Sequence, residues 1–359
     1  MNDRSFVAAQ DFLLSAKTFW TTTLYGAVRD SYADKASSSQ DEASASVEAV
    51  AEALEDTTLY QFYAWLERHL QRMKYAGRYG LVSYHDERRA AFLDSLDQIE
   101  SEGRLLELNE NLDLPAYYTG VDIHQHPGGV WSDALAGIVY ERGARTTTPL
   151  LGAAGKDVHE RFTDVALGDG APKTVLDMGC GFGKSTQPFY RRLPDSRIEA
   201  VDLAAPCIKL AAGMAQKAQA KNVRFRQMNA SNTDYASGSF DLVTSTMVLH
   251  ELPPKTIGEF LDEAFRVLSP GGRMVNLDFY SLPDAFRRFI HHGHARRNNE
   301  PYMGPLAEMD LSALLKSKGF VDVEIVPFKE SDDIDLEANE SWRFPWTVIA
   351  ATKPDGCTS

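Results

Sequence analysis

The chain has 359 residues with a net charge of −14, 43% hydrophobic and 25% charged residues, and a pI near 5.1. This balance is ordinary for a soluble globular protein, and its acidity argues against a nucleic-acid footprint, which is normally basic. No apolar run reaches the roughly 18 residues of a membrane span, and three scattered cysteines (Cys180, Cys207, Cys357) make neither a disulfide framework nor a zinc quartet.

Length predicts two domains, or one with a large extension. Residues 4–33 read as a helix punctuated by Phe6, Phe12, Phe19, Trp20 and Tyr25, most of them expected in the core. The small polar stretch 35–46 reads as a loop. Helices follow over 47–54 and 59–75, where Leu59, Phe62, Tyr63, Leu66, Leu70 and Met73 keep the i, i+3, i+4 rhythm until Gly77 and Gly80 break it. Another helix is expected over 86–99. The first 110 residues therefore read as all-helical.

Residues 111–131 are less regular. If 121–126 is extended, Asp122, His124 and His126 share one face, because side chains alternate across a strand. A solvated loop, a substrate-facing edge and a metal site are the readings open to that trio. The substrate role is carried forward and no metal is assigned. Helices over 132–142 and 156–167 lead to a linker at 168–172.

From 173 the chain alternates strands (174–178, 197–202, 223–228, 240–245, 271–279, 320–327, 346–352) with helices (184–193, 206–220, 255–268, 308–318). Alternation of this kind implies a parallel, doubly wound α/β sheet covered on both faces. In such sheets ligands sit at the carboxyl ends of the strands, near the switch point. Val175–Leu176 runs into a turn with glycine at 179, 181 and 183, where the backbone bends sharply and a ligand can come close. About 25 residues on, Asp202 ends a strand, where an acid can hydrogen-bond ribose hydroxyls.

Residues 170–352 resemble the class I S-adenosylmethionine-dependent methyltransferases. Val-Leu-Asp-Met-Gly-Cys-Gly-Phe-Gly (175–183), the strand ending at Asp202, Phe-Arg-Gln-Met-Asn-Ala (225–230), the stretch 240–253 and Arg-Val-Leu-Ser-Pro-Gly-Gly-Arg-Met (266–274) carry the resemblance in order. The His-Glu-Leu-Pro string at 250–253 is similar to the ubiquinone/menaquinone-biosynthesis-like branch. A dinucleotide is the alternative cofactor, but Gly-x-Gly-x-x-Gly is absent.

The resemblance implies a Rossmann-like seven-stranded methyltransferase sheet over 171–355. Connecting helices would occupy 126–170, and a helical domain that caps or dimerises 1–125. It implies S-adenosyl-L-methionine as cofactor. Asp177, Gly179, Cys180 and Gly181 would lie around its methionine part, Asp202 at the ribose, Leu203, Asn229 and Ala230 at the purine, and Ser245 and Thr246 at the sulfonium. His250 is the candidate base and Tyr280 a second catalytic candidate, while Arg296 and Arg297 in the segment 286–299 would clamp a carboxylate or phosphate of the acceptor. The expected activity is methyl transfer to a small-molecule, secondary-metabolite acceptor in a cytoplasmic biosynthetic enzyme, with no nucleic-acid or membrane partner. Two alternatives stay open: ring closure of the aminocarboxypropyl arm releasing methylthioadenosine, and cofactor binding without catalysis.

Overall fold

A computed structural model describes residues 3–36, 46–99, 105–145 and 157–356. Most of the loop expected at 35–46 lies outside the described residues.

Eight strands form one sheet: β1 (Leu106–Glu107), β2 (Thr174–Met178), β3 (Arg197–Asp202), β4 (Val223–Gln227), β5 (Phe240–Thr246), β6 (Leu268–Phe279), β7 (Val321–Pro327) and β8 (Trp346–Thr352). Their spatial order is β1-β4-β3-β2-β5-β6-β8-β7. The pairings from β1 to β6 are parallel, and β8 runs antiparallel to both β6 and β7. β2, β3 and β5 are buried almost end to end, as expected where helices cover both faces of a parallel sheet. The order reverses between β2 and β5, and the crevice opens at their carboxyl ends.

The seven expected strands are present within a few residues. The eighth, β1, is a correction to both the strand count and the all-helical reading of the first 110 residues. Leu106 and Glu107 pair with Phe225 and Arg226, and two residues carry no alternation that a sequence could display.

The helices Asp3–Phe19, Tyr25–Ala36, Val47–Leu54 and Thr58–Tyr75 pack on one another and on the helix Ala285–Asn298, and of the four only Thr58–Tyr75 reaches the crevice, through Tyr75. Ser46 and Thr57 start the last two, their hydroxyls accepting the N–H groups of Ala49 and Tyr60 at 3.2 Å. Trp20 stacks on Tyr63 (4.9 Å between rings) and meets Trp342 (5.3 Å). Phe6, Trp20 and Tyr25 are core as expected, but Phe12 and Phe19 are exposed, as are Phe62 and Met73. The helix Ala285–Asn298 joins the two halves. Asp284 caps its start by accepting the Arg287 N–H, and Asn299 ends it in the left-handed region. Phe286 packs on Tyr25 and Tyr32, and Phe289 on Tyr60. One continuous apolar core thus runs from the N-terminal helices to the sheet.

Candidate active site

The turn after β2 forms the floor of the crevice. Gly179 and Gly183 hold φ near +80°, and a Cβ on either would lie 2.6–2.7 Å from Val248 or Ala211. Gly181, at φ +51°, faces open space, so its backbone is free for a ligand to approach. The Gly179 and Cys180 N–H groups donate to the Val201 carbonyl (2.8 and 3.0 Å), fastening the turn to β3. Asp177 sits behind the turn rather than in the crevice. Its Oδ2 accepts the Ser185 and Thr186 hydroxyls at 2.9 and 2.7 Å, and burial pushes its carboxyl up to about 6.

The crevice is a cavity of about 470 Å³, within the roughly 300–1,000 Å³ of small-molecule sites. Of the residues assigned to the cofactor from the sequence, Gly179, Cys180, Gly181, Asp202, Leu203, Asn229, Ala230 and Thr246 line it. Asp202 accepts the N–H groups of Gly181 and Ala204, both at 2.8 Å, and burial raises its carboxyl to about 6. Ser245 is a correction. It is fully buried, donates to Asn276 Oδ1 at 2.8 Å and does not reach the cavity. β5 alternates its side chains, so Thr246 faces the cavity and Ser245 faces the neighbouring strand.

His250 follows β5 in the short turn Leu249–Glu251 and lines the cavity. Its Nδ1 lies 2.7 Å from Asp278 Oδ1. Asp278 is fixed in turn: Oδ2 accepts the N–H groups of Val248 and Leu249, and Oδ1 that of Phe279. Burial alone would lower the imidazole pKa, but the Asp278 carboxylate, together with Glu251 and Glu300, outweighs it, and the net shift is upward. Nε2 is the nitrogen left to the cavity. Tyr280 is a correction: its hydroxyl donates to the Met309 carbonyl at 2.6 Å, and it lies outside the cavity lining. The chain turns away from the site at the end of β6.

The opposite wall comes from the N-terminal half. Tyr75, Tyr117, Tyr118, Tyr140 and His124 line it, together with Glu251 and Glu300. The segment 121–126 is not extended. Ile123–Gln125 is a single tight turn with His124 and Gln125 at φ +55°, so Asp122, His124 and His126 do not share a face. Asp122 is exposed and accepts the Gly128 N–H. His126 is buried against the Tyr75 ring at 5.0 Å, outside the lining. Only His124 reaches the cavity. Its Nε2 is 3.0 Å from Glu251 Oε1 and its Nδ1 3.2 Å from Glu300 Oε1. Burial opposes its charge, but the two carboxylates prevail and raise it to about 10.

Arg296 is also displaced from its expected role. It is exposed, 3.8 Å from Glu55, and outside the cavity. The helix turns its neighbour Arg297 inward onto Glu67 instead. Among the described residues no cluster of three or more His, Cys, Asp or Glu side chains suits a metal ion, and no helix is long and apolar enough to cross a membrane. Sequence reasoning did not assign Tyr140, Glu251 or Glu300 to the site. Glu251 adjoins the candidate base and could have been suspected. Glu300 lies 176 positions from His124, and no spacing links the two.

Residues 175–272 match the family model described as methyltransferase domain. The chain is 30% identical over 155 residues to a demethylmenaquinone methyltransferase of Thermus thermophilus, covering 43% of this chain and 67% of that one. It is 30% identical over 209 residues to an arsenite methyltransferase of Halobacterium salinarum, covering 53% and 51%. The chain thus spans two thirds of the first relative and about half of the second. Among solved structures, a phosphoethanolamine N-methyltransferase 2 of Haemonchus contortus in complex with S-adenosyl-L-methionine is similar at 16% identity and TM-score 0.48, covering 67% of this chain and 61% of that one.

Proposed function

The chain belongs to the class I S-adenosylmethionine-dependent methyltransferases, and we propose that it methylates a small-molecule acceptor held between its sheet and its N-terminal helices, with His250 as general base. The observation that carries this reading is the buried His250–Asp278 pair at 2.7 Å, beside a cavity that the glycine turn and Asp202 also line.

The residues present fit the cofactor. Gly181 leaves its backbone open to a ligand, and the Asp202 carboxylate stands where ribose hydroxyls can donate to it. Leu203, Met228, Asn229 and Ala230 offer the slot for a purine. The cofactor supplies a methyl on sulfonium, so that a lone pair of the acceptor forms a bond to that carbon as the carbon–sulfur bond breaks and its electrons stay on sulfur. For the chain, the tasks are to position the acceptor, exclude water and take up its proton. His250 Nε2 accepts that proton, and the Asp278 carboxylate stabilises the imidazolium that results. The helix Ala136–Ala144 and the rings of Tyr117, Tyr118 and Tyr140 line the crevice and shield the reacting atoms from solvent. An acceptor from small-molecule biosynthesis is supported by the relatives named above.

The test is incubation with S-adenosylmethionine and a pooled metabolite extract, followed by mass spectrometry. S-adenosylhomocysteine, formed only with extract and beside a product heavier by one methylene, is the expected result. Methylthioadenosine formed without extract would overturn methyl transfer.

A further inference from the structure

The cavity lining includes two carboxylates joined through one imidazolium. Glu251 and Glu300 each use Oε1 on His124, and neither Oε2 has a protein donor among the described residues. Glu300 is 96% buried, its side chain only 4% exposed, and yet it lines the cavity. Neither Oε2 is among the fully buried polar atoms left without a partner, so each keeps surface of its own and can take a donor brought by a ligand. The other cations on the wall are already matched: Arg145 with Glu141 at 2.7 Å and Lys184 with Asp157 at 3.0 Å. Lys17 and Lys74 are bonded to Gln71 and the Gly143 carbonyl and do not line this cavity; Lys17 lines a second, smaller one of about 30 Å³ that Glu300 and His124 also reach. Tyr140 lies nearly parallel to the His124 ring at 5.9 Å, and Tyr117 and Tyr118 add further π faces to the same wall. Carboxylates backed by aromatic rings suit an organic cation. Among the described residues the wall offers no free cation to an anionic group.

We propose that Glu251, His124 and Glu300 form an ammonium-binding site that holds a protonated amine in the cavity. The proposal deepens the methyltransferase reading and rests on it for the identity of the cavity. His124 is the positioning residue, for it takes up one oxygen of each carboxylate and turns the other to the ligand. Two molecules in that reading carry such a group: an amine acceptor and the cofactor itself, through its α-ammonium. If the amine is the acceptor's, it must shed one proton before its lone pair can attack, and His250 Nε2 takes that proton.

Calorimetry on the full chain separates the two. One arm compares S-adenosylhomocysteine with its desamino analogue, which lacks only the α-ammonium. The other compares phenethylamine with the carboxylate on the same phenethyl skeleton, 3-phenylpropanoate, on protein with and without S-adenosylhomocysteine. We expect the ammonium ligand to be preferred at least tenfold in one arm, and Glu300→Gln or Glu251→Gln to remove most of that preference. Preference in the first arm assigns the site to the cofactor; preference in the second assigns it to the acceptor. No ammonium preference in either arm, or one that both substitutions leave intact, overturns the proposal. Glu251 is the more accessible of the pair, so its variant serves if Glu300→Gln does not fold. The comparison on wild-type protein needs no variant. Failure of S-adenosylhomocysteine to bind at all would tell against the methyltransferase reading instead, and the phenethylamine arm would still decide the site.

Discussion

Asp202 accepts two backbone N–H groups while its carboxyl is raised to about 6 by burial. Ribose hydroxyls donate best to the ionised form, so affinity for S-adenosylhomocysteine is expected to weaken as pH falls through about 6. Hydrogen bonds to a charged group contribute about 1.5–3 kcal/mol. Asp202→Ala should therefore bind S-adenosylhomocysteine roughly ten- to a hundredfold more weakly by titration calorimetry, with the pH dependence flattened. An affinity unchanged in a folded variant would move the ribose elsewhere. His250 differs in that its loss should spare binding. With a general base removed, His250→Gln should lose about 10²–10⁴ in turnover and keep its affinity for S-adenosylhomocysteine. The rising limb of the wild-type pH–rate profile should lie above the ordinary imidazole value of about 6.5, because Asp278, Glu251 and Glu300 together outweigh burial at His250. That limb should be missing from the variant, and a matching limb there would exclude His250 as the base. Asp202 and His250 could be read from the sequence because each ends or follows a strand at a distance set by one βα unit. Tyr280 and Arg296 could not. Their direction depends on how the chain leaves β6 and on the phase of helix Ala285–Asn298, which packing decides.

The helices Thr58–Tyr75 and Ala285–Asn298 are clasped by one buried acid. Glu67 accepts from His294 Nδ1, Arg297 Nε and Asn298 Nδ2, and Arg297 keeps only 12% of its side chain exposed. Removing one member of a buried ion pair costs about 3–5 kcal/mol, whereas removing both costs less than the sum. Glu67→Gln should lower unfolding stability in urea by about that amount, and Glu67→Gln with Arg297→Gln should fall short of additivity. An additive double variant would show that the two helices are held by their apolar contacts alone. From the sequence, the helical rhythm of 59–75 located the helix but not its covered face: Tyr63 and Leu70 are buried while Phe62 and Met73 are exposed. The strands of the sheet were easier to find, because apolar runs buried on both sides and bounded by Gly or Pro allow little else. The helix expected over 86–99 is present as Arg89–Asp97, and a separate short helix, Leu81–Asp86, precedes it across Glu87–Arg88. Neither residue of that junction is a breaker.

At the scale of the molecule, His124 ties together three segments distant in sequence: the turn Ile123–Gln125, the turn after β5 through Glu251, and the chain beyond helix Ala285–Asn298 through Glu300. The folded state raises His124 from 6.5 to about 10 and lowers Glu300 from 4.5 to about 2. The two shifts report largely the same contact seen from either end. A raised histidine stabilises the fold fully below its unfolded value of about 6.5, and that contribution disappears as pH climbs toward 10. A lowered glutamate contributes fully above about 4.5 and is lost as pH falls toward 2. Other groups act in the opposite sense. Burial lowers His126, His159 and His291 to between about 3 and about 4, so they favour unfolding as pH drops below 6.5. The raised carboxyls of Asp177 and Asp202 take stability away as pH rises from about 3.8 to 6. The bare pH profile of the protein mixes all of these, but above pH 6.5 the His124 contact is the part that a substitution at 124 removes. Thermal unfolding followed from pH 6.5 to 10 should show wild type losing stability faster than His124→Gln, so that the gap between them narrows steadily. Parallel profiles would mean that the imidazolium does not hold the N-terminal helices to the sheet.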